Sequence, residues 1–380
     1  MTGEDEQLIT GTEGPGPLHE EDEGELPRAP EAAGGTSTTV KAIAVVIAVL
    51  VIGVVVWQVW FSAPDRSDWA YEMTQLNEAN DAGYYGQGIT VGVVDTGVNA
   101  DHRVLRDADI VAWRDFVNGR QDPYDDGGHG TAMISLIAAR TAIEGGATRV
   151  KLIVAKVLDS EGSSTDGRVA KGIWFCIDPN GDGDYRDGAD VISLSLGGRT
   201  SYLNLLFGTE SQAAINEAAD SGILVVAAAG NDGEADDGDV ANPGRLRHVI
   251  CVGAVDESGD LASFSSRGRN PPIISQDPNR KPEVVAPGVD LVTAHYEGRY
   301  AIGSGTSQAT AMVAACLAVV LSALPLLAHA GALGGNLATV VTVKEAVMDS
   351  ARPLAGADTP HDDRAGYGLV QVMDLIEELS

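Results

Sequence analysis

Four positions in this sequence carry groups suited to acyl transfer. Asp95 closes the apolar run "GVVDTGV". His129 sits in "DDGGHGTAM", where glycines meet an apolar segment. Asn231 follows "LVVAAAG". Ser307 lies in "GSGTSQATA", at the start of a long apolar stretch. A hydroxyl becomes a useful nucleophile when an imidazole takes its proton and a carboxylate fixes the tautomer of that imidazole. A side-chain amide, together with a backbone N–H at a helix start, supplies donors for the oxyanion that forms. Each residue alone also has an ordinary reading. An aspartate at a strand end is common, His129 could open a helix with no further role, and Ser307 could simply cap one. Asn231 could occupy a turn that tolerates left-handed geometry. Taken together, the order Asp, His, Ser is one of three chain orders known for the same triad.

These groups need elements that hold them. "ITVGVVD" (89–95), "VKLIVAKVL" (150–158), "DVISLSLG" (190–197), "GILVVAAAG" (222–230) and "HVICVGAV" (248–255) read as buried strands. "HGTAMISLIAAR", "RVAKGIWFCI" and "SQAAINEAAD" between them read as helices. Strands alternating with helices predict an α/β fold with a mainly parallel sheet covered on both faces. Such sheets bind ligands at the carboxyl ends of their strands, where Asp95 and Asn231 fall.

With the motifs in place, the chain resembles a subtilisin-like serine protease. The match rests on "VVDTGV", "GHGTA", "AAAGN" and "GTSQAT", and further on "SLSLGG", "FSSRG", "PEVVAPGV" and "AGYGLVQV", spread in order over roughly residues 80–380. The resemblance implies a three-layer subtilisin-like fold and peptide-bond hydrolysis, with Asp95, His129 and Ser307 as the triad and Asn231 as oxyanion donor. It implies that Ser195, Leu196, Gly197 and Gly198 pair with an extended substrate, and that Ala229 and Gly230 help wall its pocket. Gln308, Ala311 and Ala132 depart from the family's usual residues without removing a catalytic group. A catalytically inactive member acting as a binding or regulatory module is the alternative, and the intact set of four residues argues against it.

Composition narrows the partners. Against 25 Lys and Arg stand 55 Asp and Glu, a net charge of −30. Binding to nucleic acid needs clustered basic residues, so it is not expected. Protein or peptide substrates are. Three cysteines, Cys176, Cys251 and Cys316, each lie in an apolar run and read as buried thiols. No organic cofactor is expected. In "DPNGDGDYRDGAD", Asp178, Asn180, Asp182 and Asp184 alternate around Gly183, like the first half of a calcium loop, although Ala189 stands where such a loop ends in Glu. Structural calcium at these four residues is the expectation, against a solvated acidic turn.

Residues 1–39 are acidic, lack apolar periodicity and read as disordered. Residues 40–61 read as a transmembrane helix. Ala42 to Phe61 is about the 20 apolar residues a bilayer requires, with Trp57, Trp60 and Phe61 gathered at one end. Arg28 and Lys41 before the span favour a cytoplasmic N-terminus, hence a plasma-membrane protein with its catalytic domain outside. Residues 62–85 read as a connector and 86–380 as the peptidase domain. The connector is too short for a folded pro-domain between span and catalytic domain. The long, nearly charge-free stretch 301–327 could pass for a second span. Pro325 interrupts it, however, and burial in a large core explains a helix that is apolar all round.

Overall fold

Apolar runs that alternate with amphipathic segments collapse here into layers around one sheet. The structure, a computed structural model, describes residues 64–197, 209–235, 240–269 and 279–380. The expected disordered segment 1–39 and the expected span 42–61 lie outside these residues. The chain enters through two short helices, α1 (Asp68–Met73) and α2 (Leu76–Asp81). It continues through β1 (Thr90–Asp95), β2 (Asp109–Asp115), α3 (His129–Ala138), β3 (Lys151–Lys156), α4 (Asp166–Ile177), β4 (Val191–Leu194), α5 (Glu210–Asp220), β5 (Leu224–Ala228), β6 (Val249–Val255) and β7 (Val284–Pro287). A hairpin of β8 (Leu291–His295) and β9 (Arg299–Gly303) then leads into α6 (Thr306–Ala323), and α7 (Leu337–Asp349) and α8 (Val372–Glu378) complete the fold.

The seven-stranded sheet has the order β2-β3-β1-β4-β5-β6-β7 and every pairing is parallel. The five strands read from the sequence are all present, β1 and β6 a single residue shorter and β3, β4 and β5 trimmed at both ends. β2 and β7 are additions at the two edges. Burial on both faces explains why the strands read as continuous runs of Val, Ile and Ala rather than as alternating patterns. Side chains alternate between two cores. Val91, Val93, Leu152, Val226 and Val252 face α3, α6 and α7. Val94, Ile153, Ile192 and Val225 face α4 and α5.

The sequence reverses direction across the sheet at one place. From β1 the chain builds outward through β2 and β3, then returns to lay β4 on the other side of β1. In open parallel sheets this switch point opens a crevice at the carboxyl ends of the strands. Asp95 at the end of β1 and Ser195 just after β4 therefore flank it.

α6 buries Thr306 and every residue from Gln308 through Leu321, leaving only Ser307, Ser322 and Ala323 of its 18 residues partly open. By length and composition it could cross a membrane. It packs instead against α3 and strands β4 to β7. Ala309, Ala311, Ala314, Ala315 and Ala318 let the sheet approach, while Val313, Leu317 and Val320 fill the space between. Burying each of those larger side chains is worth about 1.5–3 kcal/mol. Residues of the expected connector also enter this core: Ala70, Tyr71, Leu76 and Ala79 are buried. Burial drives the Tyr71 phenol up to about 12, against the opposing pull of Arg66, whose guanidinium stacks on the ring at 3.6 Å.

Candidate active site

β1 delivers Asp95 fully buried, with Oδ1 accepting from the Thr96 N–H at 2.7 Å. A buried carboxylate needs partners, and the second comes from across the crevice. His129 Nδ1 stands 2.8 Å from Asp95 Oδ1 and 2.9 Å from Oδ2. Both contacts are acceptors, so Nδ1 carries the proton and Nε2 is left with its lone pair. The His129 side chain is 36% exposed, so the ring reaches the groove while its inner edge touches the carboxylate. Burial opposes charging the imidazole. The Asp95 charge and hydrogen bond outweigh that, with help from Asp125, and hold the His129 pKa above its ordinary value.

His129 opens α3, and the loop before it is tightly organised. Asp125 accepts from Gly127 N at 3.0 Å and Gly128 N at 2.7 Å with one oxygen, and from Thr131 N at 2.9 Å and Thr131 Oγ1 at 2.6 Å with the other. Gly130 shows why a glycine follows the histidine. A Cβ there would lie 2.2 Å from the Gly97 carbonyl oxygen and 3.2 Å from the Asp95 Cβ. The first turn of α3 could not then approach the end of β1.

Ser307 sits in the first turn of α6, where its N–H has no carbonyl partner within the helix. Its Oγ donates to the Ser195 carbonyl at 3.1 Å, and Ser195 Oγ donates back to the Ser307 carbonyl at 3.1 Å. This reciprocal pair pins the Ser307 turn to the segment after β4. The hydroxyl thus rests on Ser195, and no hydrogen bond joins it to His129 among the described residues. Asn231, after β5, is oriented by its neighbour: Oδ1 accepts from Thr306 N and from Thr306 Oγ1, both at 3.0 Å. Its Nδ2 is thereby turned toward Gly305, 3.4 Å from where a Cβ on that glycine would stand. Thr306 Oγ1 also accepts from Gly230 N at 3.1 Å. Neither Thr306 nor Asp125 was singled out in the sequence. A hydroxyl beside Ser307 and an acid before the glycine pair were the available signals.

A groove of about 620 Å³ runs from His129 past Ser195, Leu196 and Gly197 to Leu158, Glu161 and Asp166. Gly198 lies outside the described residues. Ala229 and Gly230 are not among the lining residues; their backbone is taken up by bonds to Val252, Ala241, Thr306 and Ser266. The acidic loop behaves differently from its expectation. Asp178 accepts from the N–H groups of Gly181, Asp182 and Gly183, Asn180 and Asp182 cap the next turns, and Asp184 is paired with Arg186. That pairing holds Asp184 down at about 2. With their oxygens taken up by the loop's own N–H groups and by Arg186, the four residues as arranged do not fit a calcium ion, and among the described residues no group of three acids, histidines or cysteines is placed to hold a metal. The three cysteines are buried free thiols, with burial raising the pKa of each.

A buried Asp–His pair beside a helix-mounted serine, at the switch point of a parallel sheet, is the layout of a serine hydrolase. Residues 86–368 match the subtilase family (peptidase S8), and the chain belongs to it. It is 36% identical over 249 residues to Subtilisin DY of Bacillus licheniformis, covering 64% of this chain and 81% of that protein. Serine protease AprX of Bacillus subtilis (strain 168) is 35% identical over 266 residues, 63% of this chain and 58% of AprX. A thermostable alkaline protease of Halalkalibacterium halodurans is 35% identical over 260 residues, 68% of this chain and 63% of that protein. The chain thus spans about four fifths of the first and about three fifths of the other two. Family and relatives together make it a subtilisin-like serine endopeptidase.

Proposed function

We propose that this chain hydrolyses peptide bonds of protein or peptide substrates through Asp95, His129 and Ser307, tethered to the plasma membrane by residues 42–61 with the catalytic domain outside the cytoplasm. The observation that carries the catalytic part is the contact of His129 Nδ1 with both oxygens of the buried Asp95, which leaves Nε2 as the base.

An extended peptide lies along Ser195 to Gly197 and pairs with that backbone as an added strand. Ser307 Oγ leaves the Ser195 carbonyl, gives its proton to His129 Nε2 and attacks the scissile carbonyl carbon. Asp95 stabilises the imidazolium that forms and keeps the ring from turning. The oxyanion is met by the Ser307 N–H and by Asn231 Nδ2, which Thr306 holds outward. The leaving amine takes the proton from Nε2. Water, deprotonated by the same nitrogen, then attacks the acyl carbon, and Nε2 returns that proton to Ser307 Oγ as the acyl group leaves. The acidic loop 178–184 has no part in these steps.

One observation favours the alternative of an inactive binding module: the serine hydroxyl rests on Ser195 rather than on His129. Catalytic hydrogen bonds are often loose in free enzymes and tighten only with substrate, so hydrolysis is the better reading. A fluorophosphonate probe separates the two. Covalent labelling at Ser307 supports the enzyme, and folded protein that stays unlabelled supports the module. For the tether, the support is the 42–61 run itself; membrane fractionation and digestion of the catalytic domain by added protease in intact cells test it. Recovery in the soluble fraction, or protection inside the cell, would refute it.

A further inference from the structure

Lys156 is the last residue of β3, in register with Asp95 on the neighbouring strand. Its side chain is completely buried. An ammonium is costly to bury without partners, and it has three N–H donors to place. Here it has three acceptors: the Thr96 carbonyl at 2.6 Å, Asp126 Oδ1 at 2.6 Å and the Leu158 carbonyl at 2.9 Å. The face of Tyr124 lies 5.1 Å away.

Each acceptor belongs to a different part of the site. Thr96 follows Asp95 directly, and its Oγ1 accepts from Gly130 N at 2.8 Å, in the first turn of α3. Asp126 lies in the glycine loop that ends at His129. Leu158 lines the substrate groove. The Asp95 and His129 segments come from distant stretches of chain, and apolar packing alone does not set their spacing to tenths of an ångström. A central cation with all three donors engaged does.

We infer that Lys156 is a positioning residue for the Asp95–His129 pair, its buried ammonium clamping the turn after Asp95, the loop before His129 and the groove floor into one unit. The inference rests on the catalytic reading of that pair. Met at this position would fill the same space but offer no donor to either carbonyl. Arg would keep the charge, yet its planar fork does not point in three divergent directions.

The test uses the full chain in detergent micelles, comparing Lys156→Met and Asp126→Asn with the unaltered protein. Two readouts are needed: kcat and KM on a chromogenic peptide, and the tautomer populations of the His129 ring from ¹⁵N-imidazole NMR, assigned with His129→Gln. In the unaltered chain the ring is held as the Nδ1–H tautomer. In Lys156→Met, kcat falls about a hundredfold, the scale of a displacement near 1 Å at reacting groups. KM changes by less than about threefold, and the ring becomes a tautomer mixture. Asp126→Asn, altering a side chain that is 40% exposed, shows the same changes to a smaller degree. A folded Lys156→Met that keeps the fixed tautomer overturns the inference, whatever its rate. If Lys156→Met does not fold, Asp126→Asn decides alone: an unaltered tautomer and rate overturn the inference, and a mixed ring with lowered kcat sustains it. If the unaltered chain hydrolyses nothing and Ser307 takes no probe, the catalytic reading fails, yet the NMR comparison still decides the role of Lys156.

Discussion

The two ends of the sheet treat their acidic and polar groups in opposite ways. At the carboxyl end, partners are far apart in sequence. Asp95 meets His129 across 34 residues, Asn231 meets Thr306 across 75, and Ser195 meets Ser307 across 112. At the amino end of β4, the loop from Asp178 to Asp187 spends its carboxylate and amide side chains on itself, each of their hydrogen bonds closing within seven residues, while the Tyr185 carbonyl is met from afar, by His329. A group satisfied by its own turn is a structural punctuation mark. A group whose partner arrives from another element is held by the whole fold, and only there can its geometry be fixed tightly enough for chemistry.

Three substitutions and a pH profile can break that contrast at four levels. Ser307→Ala removes the proposed nucleophile, and kcat should fall by roughly a millionfold, the magnitude known from subtilisins themselves, with circular dichroism unchanged. Asn231→Ala removes one proposed oxyanion donor and should lower kcat by about a hundred- to a thousandfold, leaving measurable turnover. The third level is pH. His129 acts as a base only when neutral, and Asp95 holds its pKa above 6.5. The acid limb of kcat/KM should therefore have its midpoint above 6.5, and a midpoint below it would contradict the pairing. The same raised value has a consequence for stability. The pair's contribution is fully present below the ordinary histidine value and is lost as pH rises through the higher folded value. The smallest effect belongs to the other end of the sheet. Asp182→Ala should leave kcat unchanged and shift stability by no more than about 0.5 kcal/mol, the usual range for exposed positions. Melting curves in calcium and in chelator should coincide for both proteins. A calcium-dependent rise in Tm that the substitution removes would restore the metal site.

Much of this was legible in the sequence because strand ends announce themselves. β1 and β5 read as unbroken apolar runs, and the polar residue that stops each one, Asp95 or Asn231, must emerge at the sheet's edge. What could not be read is which distant group each one meets. Thr306 orients Asn231, and nothing in either segment points to the other. Lys156 reads as an ordinary strand terminus until the carbonyls around it are in place. The acidic loop shows the converse difficulty. Alternating oxygens around a glycine suit a cation and a string of capped turns equally well, since both require carboxylates every second residue. Residues 68–81 mislead for a third reason. "DWAYEMTQLNEAND" is polar overall, yet Ala70, Tyr71, Leu76 and Ala79 make a buried stripe too short to register as a pattern.

The burial of α6 also bears on when the enzyme becomes an enzyme. Amide hydrogens in the most enclosed element of a domain exchange with solvent only when the entire domain opens. α6 is enclosed by strands contributed from residue 191 onward to 287 and by α3. Its first turn therefore takes shape only after most of the chain has been assembled around it. A partly made chain, or one nicked and loosened within the sheet, carries the serine without the turn that arms it. Competence for hydrolysis and completion of the core are then a single cooperative event, and slow exchange at the amides from Ala311 to Leu321, with an opening free energy equal to that of global unfolding, would be its signature.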